Sequence, residues 1–412
     1  MRNSNTKHLW KSTKIQPSLI PKFNLDYDFY DFVYGIKSIF SGNIFDLKPL
    51  ELIFWKKTFL FTNYGRSSLY VILRALNLPE GSKVGVPLYS CTVVFDAIVN
   101  AGFVPCFIDI DFDNYTMDTE DLEGKIDNLS AVVVIHTFGR PADMDKIREI
   151  AGDIPVIEDC AHSLLSEYKG RKTGTLGDAS FFSLAKYISA GGGGLIILNN
   201  KEFEENFLRE VSLLNTPSRL SEVKHSLFVY VYSFLYHKPW YGLFAFSLGS
   251  YIENNIDIAG KRTFRASKIG KSDLGVFLRK LETFREKVEM QRRNSQMLLE
   301  ELQDTSLILP YERKDTWCNY FFFPILFERK EERDNACEYL RNMSIDTAKL
   351  YSITPVVARQ LYGYKGDCPN TEEFVDRILA IPNYYILTQS EMLKIIESIK
   401  SYVKSLNKLE DN

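Results

Sequence analysis

The sequence predicts an α/β protein in which a mostly parallel sheet lies between helices and a smaller C-terminal α/β domain follows. Three observations carry that expectation. Strand-like and helical stretches alternate from Lys83 to His136, as they do in βαβ units. The apolar run Pro155-Val156-Ile157 ends in two acids, Glu158 and Asp159, and acids at the carboxyl end of a buried strand lie where such sheets bind ligands. From Lys261 a basic stretch leads into one long amphipathic helical pattern, with Leu274, Leu278, Leu281, Phe284 and Val288 on one face, and then into a strand-like run from Tyr320 to Phe327.

Composition bounds the rest. A chain of 412 residues is long enough for two or three domain-sized units, and 45% apolar with 25% charged residues is ordinary for a globular protein. The net charge of −3 gives no reason to expect nucleic acid as a partner. Six cysteines lack C-x-x-C spacing and no signal-peptide pattern opens the chain, so a reducing cytoplasm is the simplest reading. The histidines (His8, His136, His162, His225, His237) do not cluster at metal-ligand spacings, and no metal is expected.

Residues 1–50 read as an arm. Phe23, Tyr27, Tyr30 and Tyr34 recur at helical spacing, which predicts a helix lying on the body or on a partner subunit. Next, Thr62 to Ser68 precede Leu69, Tyr70, Ile72, Leu73 and Leu76, spaced as an amphipathic helix. Gly65 followed by small hydroxyl residues at a helix start offers free N–H groups and a positive dipole end to a phosphate, although a serine there is commonly only a cap. Lys83–Pro87, 104–110 and 131–136 then read as strands, with a helix over 93–101.

The stretch from Val156 to Leu198 contains the most informative lysine. Lys186 sits among Phe181, Phe182, Leu184 and Ile188, just before Gly191 to Gly194, where backbone can approach a ligand closely. A lone lysine in such a place commonly snorkels its head to water. Desolvation, however, makes the neutral amine accessible, and a neutral amine forms a Schiff base with an aldehyde. Asp159, 27 residues upstream, supplies a carboxylate that could face the ring nitrogen of pyridoxal phosphate, which also needs a lysine for its aldehyde. The four glycines lack the G-x-G-x-x-G spacing of a dinucleotide site.

Residues 226–252 are unusually apolar, with Lys238 the only fully charged residue. His237-Lys238-Pro239 divides them into two pieces, each too short for a spanning helix of about 20 residues. They read either as a helical hairpin buried on the body or a dimer interface, or as a patch that dips into a membrane surface. The chain thus divides into an arm (1–50), a large domain (51–255) with an apolar insertion (216–255), and a small domain (256–412).

EDCAHS, YKGRKTGTLGDASFFS and AKYISAGGGG, with HTFGRPADMDKI upstream and CPNTEEFVDRILAIPNYYILTQSEMLKIIESI near the end, resemble the DegT/StrS family of sugar-nucleotide aminotransferases. The resemblance runs from about Phe61 to the C-terminus and is weakest over 216–260. It implies the fold-type I pyridoxal-phosphate architecture, with a seven-stranded sheet, and a homodimer with shared active sites. By it, Lys186 carries the cofactor's aldehyde, Asp159 pairs with the pyridine nitrogen, His162 sits by the ring hydroxyl, and Ser183 touches the phosphate. Gly65, Arg66, Ser67 and Ser68 also hold the phosphate. The residue that stacks on the ring is Tyr89 or Cys91. Arg265, in Thr263-Phe264-Arg265-Ala266, is the candidate that reaches a neighbouring subunit's site. The sequence departs from the family pattern in having two fewer residues between the serine and the lysine, and in Gly192, which stands where an acid is frequent. The implied activity is transfer of an amino group, from glutamate, to a nucleotide-linked keto-sugar in surface-polysaccharide or amino-sugar biosynthesis. The alternative is a non-catalytic or regulatory protein on the same fold, attached peripherally to the inner face of the membrane through 226–252.

Overall fold

A computed structural model of the protein describes residues 15–42, 45–56, 58–249 and 265–410. Its central sheet is built from β1 (Phe59–Thr62), β2 (Lys83–Pro87), β3 (Val104–Ile108), β4 (Ala131–Ile135), β5 (Val156–Asp159), β8 (Ala179–Ser183) and β9 (Gly194–Leu198), in the order β1-β9-β8-β5-β4-β2-β3. Within it only β9 runs against its neighbours, so the expected mostly parallel seven-stranded sheet is present. Every residue of β4 and β9 is buried, as strands covered on both faces require. Between β5 and β8 the chain makes a short ribbon, β6 (Glu167–Tyr168) with β7 (Arg171–Lys172), which also pairs with β10 (Thr316–Trp317).

Helices α3 (Gly65–Ala75), α4 (Thr92–Asn100), α5 (Thr119–Lys125) and α6 (Met144–Ala151) connect the strands, preceded by α1 (Phe29–Phe40) and α2 (Lys48–Phe54). After β9 come α7 (Glu204–Ser212) and α8 (Arg219–Leu235). Then α9 (Lys271–Leu302) runs from the central sheet to a second apolar core. There Leu298 and Leu302 meet Phe323, Ile325, Leu379 and Ile381 of the antiparallel pair β11 (Phe323–Leu326) and β12 (Ile378–Ile381).

The arm differs from its expected helical face. Asp28 caps α1, whose first turn closes through a reciprocal pairing of Asp28 and Asp31, so Phe23 and Tyr27 precede the helix. Its inner face is Asp31, Gly35, Ser38 and Ile39, while Tyr30 and Tyr34 are 75% and 42% exposed. Charge sets this orientation: Asp31 is turned in to meet Lys280 (3.0 Å) and Arg279 of α9.

In the apolar insertion, α8 lays one side on the body. Ser233 donates to the Leu25 carbonyl (2.7 Å), Ser226 to Ser272 (2.9 Å), and Tyr230 stacks on Phe32. Its other side leaves Leu227, Phe228, Val231 and Phe234 exposed, so α8 is covered on one side only. Residues 250–252 of the segment lie outside the described residues. No described helix is long and apolar enough to cross a membrane.

Candidate active site

The parallel strands bring His136, just past β4, and the end of β5 to one edge of the sheet. The two acids of β5 do different things. Glu158 is fully buried; Oε1 accepts the Leu176 and Gly177 N–H groups (2.7 Å each), Oε2 accepts that of Gly174 (2.8 Å) and meets His136 Nε2 (3.0 Å). The Ala142 N–H reaches His136 Nδ1 (3.1 Å), which puts the imidazole proton on Nε2, toward Glu158. Glu158 therefore pins the turn before β8. With Cys160 these two side chains form the described cluster closest to a metal-ligand set. The histidine nitrogens and both Glu158 oxygens are already engaged by protein groups.

Asp159 instead lines a cavity, 5% exposed, with Oδ1 accepting the Ala161 N–H (2.9 Å). Burial raises its pKa, and the Lys186 charge opposes that rise. Lys186 and His162 line the same cavity, with Lys186 Nζ 3.0 Å from His162 Nε2. The His162 ring stacks on Phe321 at 4.9 Å between centroids, and the Tyr351 hydroxyl is 3.3 Å from Nε2. Burial, and then the Lys186 charge, push the His162 pKa well below its ordinary value, so the ring is neutral.

The glycine run lets the segment after Lys186 lie against the start of α3. A Cβ on Gly194 would stand 2.4 Å from Ser68 Oγ and 2.5 Å from the Tyr64 carbonyl oxygen, so this crossing excludes a side chain. At Gly192 a Cβ would stand 2.4 Å from Oδ2 of Asp273, in the first turn of α9. Thus a carboxylate packs against this glycine from a different part of the chain, and His225 lies 3.4 Å from the same oxygen.

Of the residues expected from the sequence, Gly65, Arg66, Tyr89, Cys91, Asp159, His162, Ser183 and Lys186 all line the one cavity. Ser67 and Ser68 lie just beneath it, fully buried in the first turn of α3. Ser68 Oγ is 2.9 Å from Thr62 Oγ1, while Ser67 Oγ has no partner among the described residues. Arg265 is exposed and lies outside the lining of this cavity; its carbonyl accepts the Asn63 side-chain N–H (3.2 Å). Thr263 and Phe264 lie outside the described residues. Tyr89 is held edge-on by Phe138, Tyr351 and Phe374 and donates to the Leu350 carbonyl (3.2 Å), whereas Cys91 stands at the N-cap position of α4, makes no side-chain capping bond and is partly exposed.

Sequence reasoning missed Tyr64, Thr137 and Tyr351 as lining residues. Thr137 falls inside the quoted HTFGR loop, and its buried hydroxyl has no partner among the described residues. Tyr351 follows no periodic pattern and reaches the site only through the fold.

The cavity suits a phosphorylated pyridine aldehyde. The start of α3, whose positive dipole end suits an anion, lies beside Ser183 in the lining, with Gly65 and Arg66 its first two residues. A buried carboxylate, a neutral imidazole and a primary amine complete the set, and the orphaned Thr137 hydroxyl leaves a polar contact to be made.

Comparison with known proteins agrees with this donor set. The profile of the DegT/DnrJ/EryC1/StrS aminotransferase family matches residues 54–226 and 267–400. An uncharacterised protein of Methanocaldococcus jannaschii, MJ1066, is 29% identical over 350 residues, covering 82% of this chain and 83% of its own. GDP-perosamine synthase of Escherichia coli O157:H7 is 28% identical over 344 residues, 82% and 84% of the two chains. Among solved structures, the sugar aminotransferase CalS13 from Micromonospora echinospora shares the fold with a TM-score of 0.71 at 19% identity, covering 93% of this chain and all of that one.

Proposed function

Because the chain belongs to the DegT/DnrJ/EryC1/StrS aminotransferase family, we propose that it transfers an amino group from an amino acid, glutamate in the first instance, to a nucleotide-linked keto-sugar for amino-sugar or surface-polysaccharide synthesis. It is a pyridoxal-phosphate-dependent transaminase. The observation that carries the reading is the convergence of Lys186, Asp159, His162 and the start of α3 on one cavity. The relative named GDP-perosamine synthase supports the sugar-nucleotide part.

When bound, the cofactor supplies an electron sink for the carbon being aminated or deaminated. The chain supplies the rest. Lys186 Nζ would hold the cofactor's aldehyde and, as a free amine, would carry the proton to and from the substrate carbon. His162, neutral and 3.0 Å away, orients that amine. The carboxylate of Asp159 keeps a proton on the pyridine nitrogen. Gly65, Arg66 and Ser183 would hold the phosphate, with Ser67 and Ser68 shaping the turn beneath; Cys91 or Tyr89 would cover the ring; and Arg265 would serve a partner subunit in a homodimer.

The test is to load the full chain with pyridoxal phosphate, present glutamate and then a panel of UDP- and GDP-linked keto-hexoses, and follow the cofactor's absorbance through both half-reactions. Turnover of at least one keto-sugar nucleotide is expected. A protein that binds the cofactor yet aminates none of them would overturn the substrate assignment.

A further inference from the structure

Helix α8 is built inside out. Its buried residues are Glu222, Ser226 and Ser233, while large apolar side chains point away from the body. Each inward residue is tied: Glu222 accepts the Ser272 N–H (3.2 Å), Ser226 donates to Ser272 Oγ (2.9 Å) and Ser233 donates to the Leu25 carbonyl (2.7 Å). These bonds fix the rotation of the helix and hold Leu227, Phe228 (66% exposed), Val231 and Phe234 outward. A surface helix ordinarily turns its apolar stripe toward the core and its polar residues toward water.

The outward face continues past the helix. In the turn Tyr241–Ala245, Tyr241 is buried and donates to Asp346, which leaves Trp240 and Phe244 (58% exposed) stacked on one another, with Trp240 also beside Phe234. At the other end the Arg219 guanidinium lies over the exposed Phe40 ring of α1, 5.9 Å from its centroid. A run of exposed apolar side chains this long marks an interaction surface.

Charge selects what that surface meets. Among the described residues of 216–249 the one acid is Glu222, which is turned inward, whereas Arg219, Lys224 and Lys238 are exposed. Lys238 pairs with Glu391, so Arg219 and Lys224 are the cations left beside the apolar stripe. A two-fold contact with a second copy through this face would bring like charges together with no acid of the face to answer them. An anionic lipid surface supplies the opposite charge, and an indole such as that of Trp240 favours the headgroup level.

We infer that the outward face of α8, continued by Trp240 and Phe244, lies in the plane of a membrane surface rich in anionic headgroups, with Arg219 and Lys224 at the headgroup phosphates and the apolar stripe in the acyl boundary. This goes beyond the proposed activity and stands or falls apart from it.

The test is flotation of the full-length, cofactor-loaded protein with vesicles of phosphatidylcholine alone and of phosphatidylcholine mixed equally with phosphatidylglycerol. Wild type should float with the mixed vesicles and not with the neutral ones, and high salt should weaken the binding. Phe228→Ser combined with Val231→Ser should lower the partition coefficient at least about tenfold. Lys224→Gln, which leaves the apolar stripe whole, should lower it about fivefold. Thermal melts, the mass in solution by light scattering and the glutamate half-reaction should match wild type in both variants. A wild type that floats with neither vesicle or equally with both, or a Lys224→Gln protein that floats as wild type does, would overturn the inference. A smaller mass in solution for the Phe228→Ser, Val231→Ser protein would also overturn it, by assigning the face to a second copy of the chain.

Discussion

Lys186 Nζ lies 3.0 Å from His162 Nε2, and the Tyr351 hydroxyl stands 3.3 Å from the same nitrogen. A buried, neutral imidazole between an amine and a phenol orients both without adding charge to the cavity. His162→Ala should therefore lower turnover by about 10²-fold, in the range expected for a displaced proton-transfer group, with little change in cofactor content. Because burial and the Lys186 charge hold its pKa well below the ordinary value, His162 should contribute no inflection to the rate profile between pH 6.5 and 8. An inflection in that window that vanished in His162→Ala would show the ring to be charged.

Asp159→Asn separates function from stability. Removing the carboxylate should cost about 10²–10³-fold in turnover, as for other preorganised electrostatic groups. The cofactor-free protein should respond in the opposite direction. Burial raises the folded pKa of Asp159, so the folded state binds the proton more tightly than the unfolded one and the ionised group costs stability above that pKa. Asp159→Asn should then be the more stable cofactor-free protein at pH 7, with the gap closing as pH falls through the folded pKa to below about 4. Urea titrations at pH 7 and pH 4 read this directly.

Asp26 behaves in the opposite sense. Burial alone would raise its pKa, but Lys280, Lys287 and the hydrogen bonds from Lys287 and Tyr385 outweigh that and hold it at about 2. A carboxylate depressed from 3.8 to about 2 adds stability above its unfolded value, about 2 kcal/mol at neutral pH, lost as pH falls from about 4 to 2. Asp26→Asn should lower the urea midpoint at pH 7 and approach wild type near pH 2. A pH-independent difference would mean that packing, not charge, ties the arm down.

Gly192 is fixed by Asp273. An alanine there would place its Cβ 2.4 Å from Asp273 Oδ2, and the crowding should cost about 1–3 kcal/mol. Gly192→Ala combined with Asp273→Ala should recover most of that loss, measured as a double-mutant cycle by denaturant unfolding. Strict additivity would mean that the two residues do not meet.

The candidate site was legible in the sequence where its residues come from continuous, strongly patterned segments. The strand that ends in Glu158 and Asp159, the apolar run before Lys186 and the glycines after it are local signals, and the parallel sheet then brings Gly65 and Arg66 to the same edge. What could not be read depends on distant parts of the chain meeting. Tyr351 reaches His162 from 189 residues away. The inward face of α1 is chosen by Lys280 and Arg279 rather than by aromatic spacing, which is why Tyr30 and Tyr34 point outward. The carboxylate that packs against Gly192 comes from α9, a meeting in space that no linear motif records.

Lys186 as the cofactor-holding residue is tested most directly by reducing the loaded full-length protein with borohydride, digesting it and locating the pyridoxyl group by mass spectrometry. The group is expected on the peptide containing Lys186, with the visible band lost on reduction, and Lys186→Ala should carry none and turn nothing over. A pyridoxyl group on another lysine of the native protein, or a Lys186→Ala variant that keeps both band and turnover, would contradict it.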